Sequence, residues 1–312
     1  MAKIIVTGGA GFIGSHIVDK FLTSGYSVAV VDDLSTGKEA NLNPQAKLYK
    51  ASITDRHQLA QIFQQEKPEI ICHQAAQVSV RNSVKDPIFD AQNNILGTIN
   101  LLELARQHQV KKFIFASTGG AIYGEAKEIP TPEGYPENPV SPYGVSKLAG
   151  EKYLQFYYQQ YQLPYVILRY SNVYGPRQDP HGEAGVVAIF SANLWANKPC
   201  IINGDGQQTR DFIYVEDVAE ANLKALEYPE AEVFNIATGK ETSINELFQL
   251  MAKVYQELSG KQPPSPQHGP PKPGEQRRSC LKIAKAQAKL GWQPTVELQE
   301  GLKKTLASFQ PR

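Results

Sequence analysis

Three glycines near the start of the chain lie where an apolar segment gives way to an amphipathic one. Gly8, Gly11 and Gly14 belong to the run TGGAGFIG at 7–14, after the apolar residues 4–6 and before the amphipathic residues 16–22. Glycine permits a tight turn here, and it lets backbone N–H groups approach a pyrophosphate at the N-terminus of the next helix. The segment therefore predicts a dinucleotide-binding turn, the weaker alternative being a glycine-rich turn with no ligand.

A second apolar segment, 27–31, supports this prediction because it ends in Asp32. This carboxylate lies about 20 residues beyond the turn, where a dinucleotide fold places the acceptor for the ribose 2′-OH. No arginine follows in 33–37, so a 2′-phosphate would meet a carboxylate instead of a cation. The pattern favours NAD over NADP as the cofactor.

Strand-like and helix-like segments alternate through the first 170 residues. Short apolar, β-branched segments predict strands at 4–7, 28–31, 47–49, 69–73, 112–117 and 165–170. Between them the sequence predicts helices that include 55–65, with Asp55 as N-cap, 93–107 and 142–162. This alternation predicts an α/β fold with a doubly wound parallel sheet, that is, a Rossmann domain.

The sequence pattern of the chain changes after residue 170. We expect a loop at 176–185, a strand at 233–237 that returns to the main sheet, a surface linker in the first half of the proline-rich 262–274, and helices at 187–196, 283–290 and 298–309. The predicted organisation is a dinucleotide-binding domain over 1–172 with a returning segment near 212–237. Residues 173–211 and 238–312 would form a smaller α/β C-terminal substrate domain.

Composition excludes several classes of protein. The formal net charge is +1, so nothing suggests affinity for nucleic acid, and no apolar run approaches the ~20 residues of a membrane span. A strand beginning within three residues of Met1 leaves no room for a signal peptide. The three cysteines are far apart and the six histidines show no metal-ligand spacing. We therefore expect a reduced, cytoplasmic protein without a metal.

Tyr143 and Lys147 are candidates for chemistry. Their i, i+4 spacing places both on one face of the predicted helix 142–162. A buried ammonium beside a tyrosine lowers the pKa of the phenol, which can then exchange a proton with a sugar or alcohol hydroxyl. The alternative is an ordinary Tyr–Lys pair on a solvated helix. Ser117 and Thr118 end the fifth strand, where either hydroxyl could bind the reacting oxygen or simply cap its own turn.

Together these segments resemble the extended short-chain dehydrogenase/reductase superfamily over essentially the whole chain. The resemblance rests on TGGAGFIG at 7–14, VVDDLSTG at 30–37, HQAA at 73–76, NILGTINLLE at 94–103, STGGAIYGE at 117–125, SPYGVSK at 141–147, LRYSNVYGPRQ at 168–178, RDFIYVEDVA at 210–219, FNIATG at 234–239 and KPGEQRRS at 272–279. It implies NAD-dependent 4-epimerisation of UDP-hexoses through a 4-keto sugar, in a homodimer formed by helices 93–107 and 142–162. Related dehydratases carry a carboxylate after the strand-end hydroxyl, whereas this chain has Gly119.

The resemblance also implies roles for individual residues. The catalytic set would be Thr118, Tyr143 and Lys147. NAD would be bound by Gly8, Gly11, Phe12, Ile13, Gly14, Asp32, Asp33, Ile53, Ala75, Ala76, Asn94, Tyr143, Lys147 and Tyr170. The UDP-sugar would be bound by Thr118, Asn172, Arg210, Lys272 and Ser279.

Some positions depart from the family pattern or leave alternatives open. Ser52 stands where many relatives have an aspartate beside the adenine, and Lys272 replaces an arginine that binds phosphate. Gly119 and Gly120 lengthen the turn, so either Ser117 or Thr118 could face the substrate. Ser279 matches the position beside the sugar 2-substituent, and its small side chain predicts room for an N-acetyl group. Arg277 or Arg278 could fill that space, and a one-residue slip would put Arg278 or Cys280 there instead.

Two other functions fit the same features. One is a net oxidoreductase or dehydratase on nucleotide sugars, which would need a second substrate or an additional acid or base. The other is a non-catalytic dinucleotide sensor, which would have no need of Thr118, Tyr143 and Lys147 together.

Overall fold

A computed structural model describes residues 2–181, 185–272 and 276–311. Its strands are β1 (Lys3–Thr7), β2 (Ser27–Asp32), β3 (Lys47–Lys50), β4 (Ile70–His73), β5 (Lys112–Thr118), β6 (Tyr165–Tyr170), β7 (Asn172–Tyr174), β8 (Ile201–Asn203), β9 (Thr209–Arg210), β10 (Phe212–Tyr214), β11 (Glu232–Ile236), β12 (Thr242–Ser243) and β13 (Gln267–Gly269). Seven of them form a parallel sheet in the order β11-β6-β5-β4-β1-β2-β3. This confirms the predicted doubly wound sheet, including the late strand that returns to pair with β6.

Some of the helices cover both faces of this sheet. The helices of the described ranges are α1 (Phe12–Thr23), α2 (Arg56–Glu66), α3 (Val80–Lys85), α4 (Pro87–Ala91), α5 (Gly97–Gln107), α6 (Gly119–Ile122), α7 (Pro142–Tyr161), α8 (Val186–Trp195), α9 (Val215–Glu227), α10 (Ile244–Ser259) and α11 (Leu298–Ser308). Alternate residues of the strands enter two apolar clusters: Ile4 and Val6 pack with α1 and α9, whereas Ile5 packs with α2, α5 and α7.

A third apolar cluster lies outside the main sheet. It joins α8, α10 and α11 to β7, β8 and β10, with Phe190, Met251 and Leu302 fully buried. α10 is held at its start by a capping box, in which Ser243 and Glu246 satisfy each other's backbone N–H groups. Apart from Phe212 and Tyr214 of β10, its residues come from 173–211 and 238–312, for which the sequence predicts a second, smaller domain.

Several predicted elements differ in detail from the structure. The predicted helix 93–107 begins with a π-helical segment, Gln92–Leu96, and the helix at 283–290 is a π-helical segment, Ala286–Leu290. The proline-rich segment is not all linker, because β13 pairs in parallel with β8. Residues 182–184 of the predicted loop, and 273–275 at the proline-rich segment, lie outside the described part of the chain.

Membrane insertion through a helix finds no support in the described ranges. None of the helices within residues 2–181, 185–272 and 276–311 combines the length and the apolar character needed to cross a bilayer.

Candidate active site

The carboxyl ends of the parallel strands define the region of interest, because ligands of such sheets bind at this edge. Thr7, Asp32, His73, Thr118 and Tyr170 end five neighbouring strands there. The predicted cofactor and catalytic residues follow these strand ends, so the topology brings together segments that are far apart in the chain.

The glycine turn after β1 is closely packed. Gly8 has φ of +68°, and a Cβ on Gly14 would lie 2.1 Å from the Gly8 carbonyl oxygen. α1 begins directly afterwards, with Gly11 as N-cap and no side chain capping it. Phe12 and Ile13 form its first turn, so their N–H groups lie at the positive end of the helix dipole. This turn has the form that a pyrophosphate requires.

Asp32 lies beside that turn as predicted. Its carboxylate accepts hydrogen bonds from the backbone N–H groups of Ala10 and Leu34, both at 2.9 Å. Burial raises the pKa of Asp32, whereas these two backbone donors lower it. A carboxylate has about four acceptor positions, so capacity remains for ribose hydroxyls. Asp33 is turned to its own loop, where it accepts from the Ser35 N–H at 2.9 Å.

Other predicted cofactor residues line the same edge. Ala75 contacts the glycine turn, since a Cβ on Gly8 would lie 2.6 Å from the Ala75 nitrogen, and Ala76 follows it. Ile53 is buried against Gly97, where an added Cβ would lie 2.6 Å from its Cδ1 atom.

Asn94 and Tyr170 are engaged inside the protein. The Asn94 amide exchanges hydrogen bonds with the backbone of Gln77, at 2.8 and 2.9 Å. The Tyr170 hydroxyl accepts from Asn222 Nδ2 at 2.8 Å and lies 3.3 Å from Gln74 Oε1. Their polar groups are therefore bonded to other residues of the protein, at the base of the predicted cofactor site.

Tyr143 and Lys147 occupy the first turns of α7, which begins as the sequence indicates. Ser141 is the N-cap and accepts from the Gly144 N–H at 3.1 Å, and Pro142 holds the first helical position. Lys147 is 4% exposed, donates to the Ala116 carbonyl at 3.0 Å, and lies 5.0 Å from the centre of the Phe115 ring. The helix thus fixes the lysine against β5.

The sequence predicts that Lys147 lowers the pKa of Tyr143. In the chain alone, the pKa of Tyr143 is raised instead. Burial, with a further contribution from the Asp90 carboxylate, raises the pKa of Tyr143 to about 12, and the interaction with Thr118 lowers it only in part. Burial also lowers the pKa of Lys147 to about 8. Desolvation of the charged form is the largest cause of both shifts, because Lys147 is buried and Tyr143 is largely covered.

The two strand-end hydroxyls have different surroundings. Ser117 Oγ donates to Glu151 at 2.6 Å and is buried behind the sheet edge. The Thr118 hydroxyl interacts with the Tyr143 phenol and caps α6, accepting from the Ala121 N–H at 3.3 Å. A Cβ on Gly119 would lie 2.3 Å from Leu281, so the turn after Thr118 has no room for a larger residue.

A buried charged cluster packs against α7, the helix that carries Tyr143 and Lys147. Glu151, one turn beyond Lys147 on α7, accepts from Arg169 Nε at 2.9 Å and from Arg169 Nη2 at 2.6 Å. Arg169 Nη1 also donates to the Tyr123 hydroxyl at 2.7 Å. With Ser117 bound to the same carboxylate, the cluster ties α7 to β5 and β6.

Two predicted substrate residues, Asn172 and Arg210, lie close together, at the start of β7 and the end of β9. Asn172 begins β7 and its N–H donates to the Asp211 carbonyl at 2.9 Å, beside Arg210. Asp211 is fully buried and accepts from the N–H groups of Thr238 and Gly239, which fixes the position of Arg210 in the chain.

Lys272 and Ser279 lie on either side of residues 273–275. Lys272 is exposed and lines a cavity of about 410 Å³ with Asn203, Asp205, Gln208 and Arg277, among others. Ser279 is 7% exposed, in the segment that leads to Leu281 beside Gly119.

The two arginines that precede Ser279 make ion pairs with acidic side chains. Arg277 makes a two-contact ion pair with Asp205, at 2.9 and 3.0 Å. Arg278 makes a similar pair with Glu241, at 3.0 and 2.6 Å. Both arginine side chains are more than half exposed to solvent. The ion pairs therefore orient these side chains more than they stabilise the fold.

Several residues near the site were not identified from the sequence. Glu151 could have been found, because Tyr143, Lys147 and Glu151 repeat at spacing four on one helix. Asp90 is 1% exposed and receives hydrogen bonds from Gln77 and Asn94, a position that only the tertiary structure reveals.

A seven-stranded parallel sheet of this order, with a glycine turn after its first strand and a Tyr–Lys helix at the same edge, defines an enzyme of the extended short-chain dehydrogenase/reductase class. The sequence profile of the NAD dependent epimerase/dehydratase family matches residues 4–237. The chain belongs to this family.

Individual relatives agree with the profile. The chain is 50% identical over 303 residues to a protein of Methanocaldococcus jannaschii named putative UDP-glucose 4-epimerase, covering 97% of both chains. A crystal structure of UDP-glucose 4-epimerase from Thermotoga maritima with UDP-glucose is 51% identical, with a TM-score of 0.94 over 99% of this chain and 98% of that one. The complex of Thermus thermophilus UDP-glucose 4-epimerase with NAD is 45% identical, with a TM-score of 0.91 over 99% of each chain.

These likenesses confirm the predictions of superfamily, fold class, NAD cofactor and NAD-dependent nucleotide-sugar epimerisation. The roles of individual residues, the homodimer, the domain boundaries and the cytoplasmic location stay predictions.

Proposed function

We propose that the chain interconverts UDP-glucose and UDP-galactose by oxidation and re-reduction at C4 of the sugar. The observation that carries this assignment is the meeting of Thr118, Tyr143 and Lys147 at the sheet edge that also holds the glycine turn. Gly119 follows Thr118, so the carboxylate that a dehydratase needs at this position is absent from the sequence.

Tyr143 removes the proton from the sugar 4-OH, and Thr118 holds that oxygen through a hydrogen bond. Ser117 is not the substrate contact in this scheme, because its hydroxyl is committed to Glu151. Bound NAD would supply the acceptor for the C4 hydride and a cationic ring that favours the Tyr143 phenolate. Lys147 supports the phenolate by its positive charge and binds the nicotinamide ribose.

Epimerisation requires the 4-keto sugar to present its other face before C4 is reduced again. Tyr143 then returns the proton to the oxygen at C4, so the reaction consumes no second substrate. The UDP portion stays bound meanwhile, held by Asn172, Arg210 and Lys272. A guanidinium suits phosphate oxygens at Arg210, whereas Lys272 supplies charge without the two-point geometry.

Different cofactor residues bind different parts of the NAD molecule. Gly8, Gly11 and Gly14, with Phe12 and Ile13, receive the pyrophosphate at the start of α1. Asp32 receives the adenosine ribose, and the nearby residues that complete the dinucleotide site are Asp33, Ile53, Ala75, Ala76, Asn94 and Tyr170. The retained acceptor capacity of the Asp32 carboxylate supports this assignment.

Ser279 borders the sugar 2-substituent in this scheme. Its small side chain leaves room for an acetamido group, which makes UDP-GlcNAc and UDP-GalNAc additional substrates. The ion pairs of Arg277 with Asp205 and of Arg278 with Glu241 support this reading, since both hold an arginine to an acidic partner.

The protein functions as a homodimer through residues 93–107 and 142–162, that is, through the π-helical segment Gln92–Leu96 with α5, and through α7. Large apolar side chains are exposed on this side of the molecule: Leu96 is 54% exposed, Val145 51% and Phe156 49%. Apolar residues of α3 and α4 continue the patch, among them Val84 and Ile88. A contiguous exposed apolar face of this kind marks an association surface. Sedimentation of the purified protein tests the dimer, and Val145→Glu with Phe156→Lys should yield monomers.

The two ligands are bound by the two predicted domains. Residues 1–172 with the returning segment 212–237 bind NAD, and 173–211 with 238–312 bind the nucleotide sugar. The cytoplasm is the proposed location. The three cysteines, all free and buried, support it because thiols persist in a reducing compartment.

The decisive experiment follows the anomeric NMR signals of UDP-galactose with purified protein and no added cofactor. Epimerisation produces UDP-glucose signals and no net NADH absorbance. Accumulation of NADH would indicate a net dehydrogenase, loss of water from the sugar would indicate a dehydratase, and an unchanged spectrum would indicate a sensor.

A further inference from the structure

A second buried carboxylate faces the catalytic helix and has no role in the scheme above. Asp90 lies on α4 and is 1% exposed. Its Oδ1 atom accepts from Gln77 Nε2 at 2.8 Å and from Asn94 Nδ2 at 3.1 Å. Both partners are neutral amides, so neither compensates a negative charge.

The orientations of these amides are set by other bonds. The Gln77 N–H donates to Asn94 Oδ1, and the Ser79 N–H donates to Gln77 Oε1. Each amide oxygen is therefore occupied, and each NH₂ group is directed to Asp90. Two donors on one oxygen stabilise an ionised carboxylate, which is an acceptor only.

Asn94 also connects Asp90 to the catalytic helix. Its Nδ2 atom lies 3.2 Å from Ser146 Oγ, and the Ser146 hydroxyl donates to the Tyr143 carbonyl at 3.0 Å. Ser146 directly precedes Lys147. The shared amide thus holds the Asp90 carboxylate against the turn of α7 that carries both catalytic groups.

The other titratable groups around Lys147 are already accounted for. Glu151 is in an ion pair with Arg169 at 2.6 Å, so its charge is compensated. His73 has its pKa lowered well below the usual value by burial and by Lys147, so it is neutral. Tyr143 is protonated at neutral pH in the chain alone. Asp90 remains as the carboxylate whose hydrogen-bond partners bring it no positive charge.

We propose that Asp90 is a positioning residue whose carboxylate is the counter-charge of the buried Lys147 ammonium. It keeps the lysine charged where burial would neutralise it, and thereby sets the pH range in which the Tyr143–Lys147 pair works. The inference rests on the proposed function of that pair. The pKa of Lys147 agrees, since burial lowers it and Asp90 is the foremost group raising it. Asp90 also raises the pKa of Tyr143.

The direct test is an NMR titration of Lys147 in the purified protein with its cofactor. Selectively labelled lysine gives a side-chain signal for Lys147, assigned by its disappearance in Lys147→Arg. In Asp90→Asn, which keeps an oxygen acceptor for both amides, the pKa of Lys147 should fall by about one unit. Glu257→Gln removes one exposed carboxylate from α10 and should leave this pKa unchanged. An unchanged Lys147 pKa in Asp90→Asn overturns the proposal.

Turnover gives an independent readout. Both limbs of the kcat–pH profile should move to lower pH in Asp90→Asn, because the pKa values of Tyr143 and Lys147 both fall. Asp90→Glu, which restores the charge, should move them back. A variant that is slower at every pH with unmoved limbs would assign Asp90 a structural role only. The titration needs no turnover, so it distinguishes failure of this inference from failure of the proposed function.

A measurement on the wild type guards against misfolding of the variants. The side-chain signal of Lys147 in labelled wild-type protein should report an ammonium group at pH 7, because its pKa is about 8. A neutral Lys147 at that pH would refute the assignment without any substitution.

Discussion

Removal of the charge of Glu151 should destabilise the protein severely while changing its shape very little. In Glu151→Gln the side chain keeps its size and one oxygen. The carboxylate now serves three donors, Ser117 Oγ and two nitrogen atoms of Arg169. The new NH₂ group would oppose one of them. Arg169, which is 2% exposed, would lose its fully buried ion pair and keep only the pair with Glu137, whose side chain is 26% exposed.

The magnitude follows from that burial. Both charged groups are almost completely enclosed, at 2% and 0% exposure, so solvent does not screen the loss. Removing one partner of a buried pair costs about 3–5 kcal/mol, and the remaining Arg169–Glu137 pair places the expected loss near the lower value. Native proteins have a total stability of about 5–15 kcal/mol, so this single change consumes a large fraction of it. In the wild type, Glu151 raises the pKa of Arg169 against the effect of burial. A guanidinium stays protonated in proteins even without such a partner, so the variant keeps a buried positive charge with less compensation.

Urea unfolding at fixed protein concentration measures the change. Glu297→Gln is the matched control, since its pair with Lys240 lies at 3.4 Å with both side chains more than 70% exposed. That control should cost no more than about 1 kcal/mol. Glu151→Leu combined with Arg169→Met should recover stability, because no buried charge is left unpaired. A loss below about 1 kcal/mol in Glu151→Gln would refute the view that this cluster holds α7 to the sheet.

Four further outcomes are expected. Tyr143→Phe should lower kcat by about 10²–10⁴-fold yet retain bound NAD, because only the proton-transfer group is lost; spectrophotometric assay and cofactor release measure the two effects. NAD should bind more tightly than NADP, since Asp32 repels a 2′-phosphate, and equal affinities in a titration would contradict this. Wild type should act on UDP-GlcNAc, whereas Ser279→Tyr should lose that activity and keep UDP-galactose turnover; activity unaffected by the tyrosine would remove Ser279 from the pocket wall. Burial lowers the pKa of Lys147 from 10.5 to about 8, so between these values the unfolded chain holds the extra proton and stability rises with pH. Relative to Lys147→Met, the wild type should gain up to about 3 kcal/mol across this window in urea unfolding, and a falling difference would reverse the assigned shift.

The main sheet could be predicted almost entirely from the sequence, because each buried strand is a short apolar run between polar helices. The strand at Glu232–Ile236 was predicted on the same signal despite its distance from the others. The helices α9 and α10 were not predicted, although their signals were local: Val215, Val218 and Asn222 repeat on one face of α9, and Ser243 with Glu246 forms the cap of α10.

The placement of Tyr143 and Lys147 on one side of a helix could also be predicted from the sequence, because residues at spacing four share a helix face. The rise in the pKa of Tyr143 could not be predicted from the sequence. Its direction depends on how completely other elements enclose the phenol and on where Asp90 lies, and these are properties of the packed structure. The commitment of Ser117 to Glu151, which separates it from Thr118, depends likewise on a contact between residues 34 positions apart.

The position of β11 has a consequence for synthesis of the chain. This strand covers the outer edge of β6, yet it is translated about sixty residues later, after α8 and α9. While the ribosome is between these points, the backbone N–H and C=O groups on that edge of β6 have no strand partner. An exposed edge of this kind recruits other strands, including those of neighbouring nascent chains. A fragment ending near residue 172 would carry the whole glycine turn and still be prone to aggregate, whereas release of residues through Ile236 covers the edge of β6 with a short strand of five residues.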